Sequence, residues 1–311
     1  MPALHPQIAD ALQKLAAANL PPIHTLSPAE GRAQMAAVIR ARGSLPAPIR
    51  RTEDRAIPGP GGPLPVRLYW PEADGTLPIL VYYHGGGHVI GDLDTHDVIC
   101  RNLAAGAGAL VMAVDYRMGP EHRFPAAVED SWAALSWIAA EAAALGGDPA
   151  RIAVAGDSAG GNLAAVVALM ARDAGGPALR LQVLLYPVSD YALVGDSYAT
   201  FDSGYGPLTR AAMAWFRGHY LRDAADADDW RASPIRAPLA GVAPALVVVA
   251  GCDVLYDDGV RYADALRGAG VAVDYRLYPG MIHGFFGMTP MIDDAVDAQR
   301  VVADALRGAF A

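Results

Sequence analysis

The chain has 311 residues, of which 53% are hydrophobic and 18% are charged, and its formal net charge is −9. A chain of this length can bury a large core, either as one α/β domain or as a domain with an inserted segment. The acidic balance argues against nucleic acid or an anionic membrane surface as a partner. The apolar stretches fall short of the roughly 20 residues of a transmembrane helix, so no membrane span is expected.

The first residues and the cysteines favour a cytoplasmic protein. Asp10 and the lack of a basic start before an apolar run do not fit a secretory signal. Cys100 and Cys252 show neither a disulfide framework nor metal-ligand spacing. We therefore expect two buried, reduced thiols and no metal site.

Taken in chain order, the pattern predicts a helical preface and then alternating strands and helices. Residues 1–45 are alanine-rich with helical spacing, PGPGGPLP (58–65) predicts turn and loop, and VRLYW (66–70) predicts a half-buried strand. Further strands are predicted at 78–83, 109–116, 152–156, 181–187, 245–251 and 273–279. Helices are predicted at 95–106, 126–145, 159–174, 256–269 and 293–309. Uninterrupted apolar strands indicate an α/β fold, a mostly parallel sheet with helices on both faces.

One segment interrupts this alternation. Residues 189–240 contain no clear strand and are rich in aromatic side chains. A gap of this length is usually an insertion with a structure of its own, often a functional one.

The stretch RIAVAGDSAGGNLAAVV places a serine at the junction of a predicted strand and helix. Gly156 and Gly160 flank Ser158 in a G-x-S-x-G pattern, which is typical of a nucleophile held on a tight strand–turn–helix. Side chains at the two glycine positions would clash in such a turn. The alternative is an ordinary serine that caps the following helix.

A serine nucleophile needs a histidine base. Two histidines follow Ser158 in the chain, His219 and His283. His283 comes directly after the last predicted strand, at the sheet edge where α/β sites form, whereas His219 lies in the aromatic insertion. We therefore predict His283 as the base.

The carboxylate that orients the histidine should also follow a strand. Asp253 does so, in AGCDVL. Asp257 and Asp258 fall at a predicted helix start, where acidic residues favour the helix dipole, and we interpret them as structural. The predicted catalytic residues are therefore Ser158, Asp253 and His283, in the chain order known for this kind of turn.

The run HGGG (84–87) follows a predicted strand and offers backbone amides to a developing oxyanion. We predict Gly85, Gly86 and Ala159 as the donors of an oxyanion hole. The alternative, a phosphate-binding loop, requires glycine patterns that this stretch lacks.

Several of these motifs together resemble one family. HGGG, GDSAGG (156–161), HGF (283–285) and DYRMGPEHRFPAA (115–127), with GDLDTHD (91–97) and YPVSD (186–190), are similar to the hormone-sensitive-lipase-like (family IV) bacterial carboxylesterases of the α/β-hydrolase superfamily. The resemblance spans roughly residues 55–310.

The resemblance implies an α/β-hydrolase fold with a helical cap. The cap would consist of residues 1–45 and 189–225, and the catalytic domain of residues 46–188 and 226–311. The resemblance also implies a serine carboxylesterase for short- to medium-chain acyl esters, with a small-molecule ester as substrate. It implies no metal and no cofactor, and a homodimer as a common assembly. His84 would hold the glycine loop, and Asp157 would support the site.

His88 departs from the family pattern, because an aromatic residue usually stands there, and it could alter the substrate pocket or its pH response. Met118-Gly119 and Val254 are further departures, and none touches the predicted triad. Residues that could bind substrate, besides Asp157 and His88, are Tyr186, Tyr205, Leu208, Trp215, Phe216 and Phe285.

The triad alone leaves the acyl substrate open, since a lactone, an amide or a carbamate would use the same residues. A second alternative is a non-catalytic small-molecule receptor on the same scaffold. His283 argues against it, because receptors related to this family have lost that histidine.

Overall fold

An eight-stranded sheet runs through the computed structural model, which describes residues 3–43 and 45–311. The strands are β1 (Arg51–Gly59), β2 (Gly62–Trp70), β3 (Leu77–Tyr83), β4 (Leu110–Val114), β5 (Gly147–Asp157), β6 (Leu179–Leu185), β7 (Ala245–Cys252) and β8 (Val273–Ile282). Their order is β1-β2-β4-β3-β5-β6-β7-β8. The pairs β1–β2 and β2–β4 are antiparallel, and all others are parallel.

Helices cover both faces of this sheet and extend beyond it. They are α1 (Pro6–Ala17), α2 (Pro28–Arg42), α3 (Asp97–Ala107), α4 (Ala126–Glu141), α5 (Ala159–Asp173), α6 (Ser197–Thr200), α7 (Arg210–Tyr220), α8 (Tyr256–Gly268) and α9 (Asp293–Phe310). Short 3₁₀ turns lie at Ile23–Thr25, Ala143–Leu145, Ala224–Asp228, Pro234–Arg236 and Phe285–Gly287. In the described ranges, no helix combines the length and the apolar character needed to cross a membrane.

The central strands are buried along their whole length. Every residue of β3, β4 and β7 is buried, as expected for parallel strands that are covered on both faces. The predicted α/β class and the mostly parallel sheet are therefore confirmed.

The start of the sheet differs from the prediction. Residues 58–65 were predicted as turn and loop. They form the turn and the adjoining strand ends of a β1–β2 hairpin, in which Pro58 pairs with Pro63 and Ile57 with Leu64. Prolines are tolerated here because β1 is an edge strand, and because β2 pairs with β4 only from Val66 onward.

The insertion after β6 has no strand between residues 189 and 240, as predicted. Its helix α7 contributes Ala212 and Phe216 to a small apolar cluster with Val89 and Ile90, separate from the main core. Ile23, Met35, Leu208 and Trp215 pack against this cluster. The N-terminal segment and the insertion therefore meet over residues 89–90. The boundaries of the cap stay a prediction, and residues 1, 2 and 44 of its N-terminal segment lie outside the described residues.

Candidate active site

Ser158 occupies a sharp turn between β5 and α5. Its φ is 56° and its ψ −117°, a left-handed conformation that a residue with a side chain rarely adopts. The turn keeps the Oγ atom at the carboxyl end of the sheet and places Ser158 at the start of α5. A strained backbone of this kind persists only where its surroundings enforce it.

Two glycines make the turn sterically feasible. A Cβ atom on Gly160 would collide with the carbonyl oxygen of Tyr83, and one on Gly156 would collide with the carbonyl of Gly160. The backbone of β3 is therefore in contact with the turn and with the first two residues of α5. This steric clash is the reason that the sequence analysis gave for the glycines on both sides of Ser158.

The structure brings Ser158, His283 and Asp253 into one hydrogen-bonded chain. His283 Nε2 lies 2.9 Å from Ser158 Oγ, and His283 Nδ1 lies 2.7 Å from Asp253 Oδ2. Asp253 follows β7 and is 2% exposed, and its other oxygen accepts the amide of Leu255. The carboxylate can therefore hold the imidazole with Nδ1 protonated and Nε2 free to accept the serine proton.

The alternatives considered for these roles lie elsewhere. Asp257 accepts the amide of Ser197, and Asp258 accepts the amides that begin the insertion after β6. His219 is on α7, where its ring packs edge-on against Trp215. None of the three has a hydrogen bond to Ser158 or His283 in the part of the chain that the structure describes.

The loop after β3 approaches the same serine. A Cβ atom on Gly160 would lie 2.7 Å from the carbonyl oxygen of His84, so the HGGG run begins beside the nucleophile turn. Gly86 and Gly87 have φ values of 115° and 62°, which favour glycine. Within the described residues, neither of their amides donates a hydrogen bond to another group.

Gly85 does not fit the predicted oxyanion role. Its N–H donates to Asp157 Oδ1 at 3.0 Å, so the one proton of this amide is already committed. The prediction is therefore corrected, and Gly87 takes its place beside Gly86 and Ala159 as the third available donor. The third glycine of HGGG was the sequence signal for Gly87. Ala159 is the first residue of α5, so its amide has no acceptor within the helix.

The side chain of Asp157 holds this loop through hydrogen bonds. Oδ1 accepts the hydroxyl of Tyr82 at 2.8 Å and the amide of Gly85, and it lies 3.4 Å from His96 Nε2. Burial opposes ionisation, but His96 and the Tyr82 hydroxyl outweigh it and hold the pKa of Asp157 below its usual value. Asp157 is nearly buried, and its contacts position the loop. Substrate binding by Asp157 stays a prediction.

His84 and His88 are both buried in this region. His84 Nδ1 lies 2.8 Å from the carbonyl of Gly85, and its ring stacks on Tyr116. His88 Nδ1 lies 2.8 Å from the hydroxyl of Tyr191, and its ring stacks on Tyr220 at 3.9 Å. Burial lowers the pKa of His88 to about 3. His88 therefore stays neutral at ordinary pH and cannot supply the pH response considered for it.

The predicted substrate-binding residues fall into two groups. Tyr186, Phe285 and His88 are at most 1% exposed, so they pack behind the site and do not face an open cleft, which corrects their predicted role. The Tyr186 ring lies 4.8 Å from that of His283. Phe216 is nearly buried against Gly87.

Tyr205, Leu208 and Trp215 are partly exposed, and for them substrate binding stays a prediction. The backbone of this segment comes close to His283, because a Cβ atom on Gly206 would lie 3.2 Å from the side chain of the preceding residue, Ile282. Trp215 is held in place by a hydrogen bond from Nε1 to the carbonyl of Leu26.

Among residues 3–43 and 45–311, no three His, Cys, Asp or Glu side chains are grouped as ligands for a metal ion. Cys100 and Cys252 are both buried and unpaired.

Comparisons with known proteins agree with this geometry. Residues 80–287 match the family described as having the alpha/beta hydrolase fold. The chain is 45% identical over 285 residues to the carboxylic ester hydrolase LipN of Mycobacterium tuberculosis, covering 89% of this chain and 75% of that protein. It is 40% identical over 318 residues to an ethyl acetate hydrolase of Pseudomonas putida, covering 98% of each.

A solved structure, the hyperthermophilic esterase of the archaeon Pyrobaculum calidifontis, superposes with a TM-score of 0.93 at 43% identity, over 98% of each chain. The sheet order, the serine turn and these similarities lead to one conclusion. The chain belongs to the hormone-sensitive-lipase-like carboxylesterases of the α/β-hydrolase superfamily.

Proposed function

We infer that this protein is a serine carboxylesterase that forms an acyl-enzyme on Ser158. The observation that carries this inference is the chain of hydrogen bonds from Ser158 Oγ through His283 to the buried Asp253. The carboxylic ester hydrolase and the ethyl acetate hydrolase among its relatives support the same activity.

In the proposed reaction, Ser158 Oγ attacks the ester carbonyl while its proton passes to His283 Nε2. The carbonyl electron pair moves to the oxygen, which the amides of Gly86, Gly87 and Ala159 stabilise. His283 then returns the proton to the leaving alcohol, and an acyl-enzyme remains. Water repeats these steps on the acyl-enzyme and releases the acid.

We propose short- to medium-chain acyl esters as the substrate class. The segment that carries Tyr205 and Leu208 comes close to His283, since a Cβ atom on Gly206 would lie 3.2 Å from the side chain of Ile282. Phe216 of the apolar cluster packs against Gly87 of the oxyanion loop. One relative that covers nearly the whole chain is named for ethyl acetate, a small ester. A lactone, an amide or a carbamate would use the same residues and serves as the alternative acyl substrate in the test.

The test is hydrolysis of p-nitrophenyl esters from acetyl to palmitoyl, with Ser158→Ala as the matched control. We expect the rate to be highest for short chains and to be lost in the variant. A folded wild-type protein that hydrolyses none of the esters would contradict the proposal and favour another acyl substrate or the receptor alternative.

Three further sequence-based expectations stay predictions: the cap formed by residues 1–45 and 189–225, a homodimer, and a cytoplasmic location. The contact between Trp215 Nε1 and Leu26 supports the first, because it ties the two cap segments together. Sedimentation velocity tests the second, and cell fractionation tests the third.

A further inference from the structure

The loop that supplies the oxyanion amides requires support from outside itself. Gly86, Gly87 and His88 follow one another with φ values of 115°, 62° and 59°, and the amides of Val89 and Ile90 close the turn on the carbonyl of Gly86. Three successive left-handed residues form no regular structure that could hold their amides in one direction. Beside the bond from Gly85 to Asp157 and the packing of His88, contacts to the neighbouring carbonyl groups therefore contribute to this direction.

Two carbonyl groups of this loop have partners outside it. The carbonyl of His88 accepts the amide of Gly119 at 2.8 Å. The carbonyl of Val89 accepts Arg32 Nε at 2.8 Å. Arg32 Nη2 also donates to the carbonyl of Gly119 at 2.9 Å. One guanidinium from α2 thus joins the oxyanion loop to the segment that braces it.

The guanidinium is itself fixed in place. Glu121 binds it through two contacts, Nη1 to Oε1 at 2.9 Å and Nη2 to Oε2 at 2.6 Å. Hydrogen bonding from Arg32 lowers the pKa of Glu121 to about 2, so the carboxylate keeps its charge at ordinary pH. Only a planar fork of donors reaches a carboxylate and two carbonyl groups at once, and a lysine cannot replace it.

The helix that carries Arg32 is also anchored. Ser27 and Glu30 form a reciprocal cap at the start of α2, and Gly31 packs closely on Ile23 and near Ile90. A shift of α2 would therefore be transmitted to the loop through Arg32.

We propose that Arg32 is a positioning residue for catalysis: it orients the oxyanion loop through the carbonyl groups of Val89 and Gly119 and couples that orientation to α2. The proposal rests on the proposed esterase function. It predicts that loss of Arg32 weakens stabilisation of the tetrahedral state more than it weakens substrate binding.

The test compares Arg32→Gln with wild type at equal concentrations of titrated active sites. The measurements are kcat and KM for p-nitrophenyl acetate, Ki for a short-chain trifluoromethyl ketone, and Ki for the secondary alcohol with the same carbon chain. The ketone forms a tetrahedral adduct whose oxygen occupies the oxyanion position, whereas the alcohol does not. We expect kcat/KM and ketone affinity to fall together by about 10- to 100-fold, and the alcohol Ki and KM to change by less than about twofold.

Two controls separate this role from charge and from the ion pair. Arg50→Gln removes an arginine whose side chain makes an exposed ion pair with Asp74, and we expect no effect on kcat/KM. Glu121→Gln weakens the anchor of the guanidinium but leaves both carbonyl contacts of Arg32 available, and we expect a clearly smaller loss than in Arg32→Gln. An equal loss in Glu121→Gln and Arg32→Gln would overturn the assignment to the carbonyl contacts.

Arg32→Lys serves if Arg32→Gln does not fold, because an ammonium group keeps the charge but cannot reach both carbonyl groups. The proposal fails if either folded variant keeps kcat/KM within threefold of wild type, or if ketone and alcohol affinities fall equally. A wild-type protein without esterase activity would instead refute the proposed function.

Discussion

At the scale of single residues, Asp253 has a role that its acidic neighbours cannot take over. Its Oδ2 atom holds His283 Nδ1, whereas the Asp257 carboxylate is occupied by the amide of Ser197. The sequence analysis interpreted Asp257 as a structural residue, and its hydrogen bond to the amide of Ser197 agrees with that interpretation.

We therefore expect Asp253→Asn to lower kcat by roughly 10³–10⁴-fold, because an amide at this position stabilises the wrong tautomer of His283 and no imidazolium. Asp257→Asn is the matched control and should keep kcat within about threefold. Steady-state kinetics on p-nitrophenyl acetate measures both. Near-full activity of Asp253→Asn would show that another carboxylate orients the histidine.

His88 gives a different kind of prediction, one of stability. The imidazole is fully buried and bonded to the hydroxyl of Tyr191. His88→Phe should leave kcat within a few-fold but cost about 1–3 kcal/mol in the free energy of unfolding, because the Tyr191 hydroxyl loses its partner.

Urea unfolding measures this cost, and the double variant His88→Phe/Tyr191→Phe should recover part of it, since the orphaned hydroxyl is then removed as well. A loss of kcat of a hundredfold or more in the single variant would instead assign His88 to the catalytic site.

At the scale of elements, the junction of β3, β5 and α5 depends on backbone contact. A Cβ atom on Gly160 would meet the carbonyl groups of Tyr83 and His84, and neither can move without shifting β3 or the oxyanion loop. Gly160→Ala should therefore lower the thermal unfolding midpoint and reduce kcat/KM by about 10²-fold or more through misplacement of Ser158.

Gly218→Ala is the control for Gly160→Ala, since Gly218 lies in α7 with open space around its Cβ position. It should raise the free energy of unfolding by about 0.5–1 kcal/mol. Differential scanning calorimetry with parallel kinetics compares the two variants. Equal effects on stability and activity would contradict the role of backbone contact at the serine turn.

The elements also show what the sequence could predict. The strands β2 to β8 were predicted because each contains an apolar run or an apolar–polar alternation that loops rarely show. The triad was predicted because each of its members follows a different strand. The strand β1 was missed because RTEDRAIPG is polar and mostly exposed, and its pairing depends on the neighbouring β2. Gly85 was assigned wrongly because the direction of an amide is a tertiary property. The contacts of Arg32 lie 57 and more residues away in the chain and leave no local pattern.

At the scale of the whole molecule, one buried carboxylate links the insertion after β6 to the catalytic domain. Asp258 on α8 accepts the amides of Ser189 and Asp190 through Oδ1 and the hydroxyl of Tyr198 through Oδ2. Burial is the largest influence on this group, and it raises the pKa of Asp258 to about 7 although the three donors act in the opposite direction.

The sign of the pH effect follows from this shift. Because the folded state holds the proton more tightly than the unfolded state, Asp258 contributes stability at low pH that is lost as the pH rises to about 7. Asp258→Asn removes the titration while its amide oxygen can still accept the two backbone amides. We therefore expect the free energy of unfolding to fall more steeply for wild type than for Asp258→Asn between pH 5 and pH 8. Urea unfolding at both pH values measures the difference, and parallel pH dependences in the two proteins would show that Asp258 does not titrate in this range.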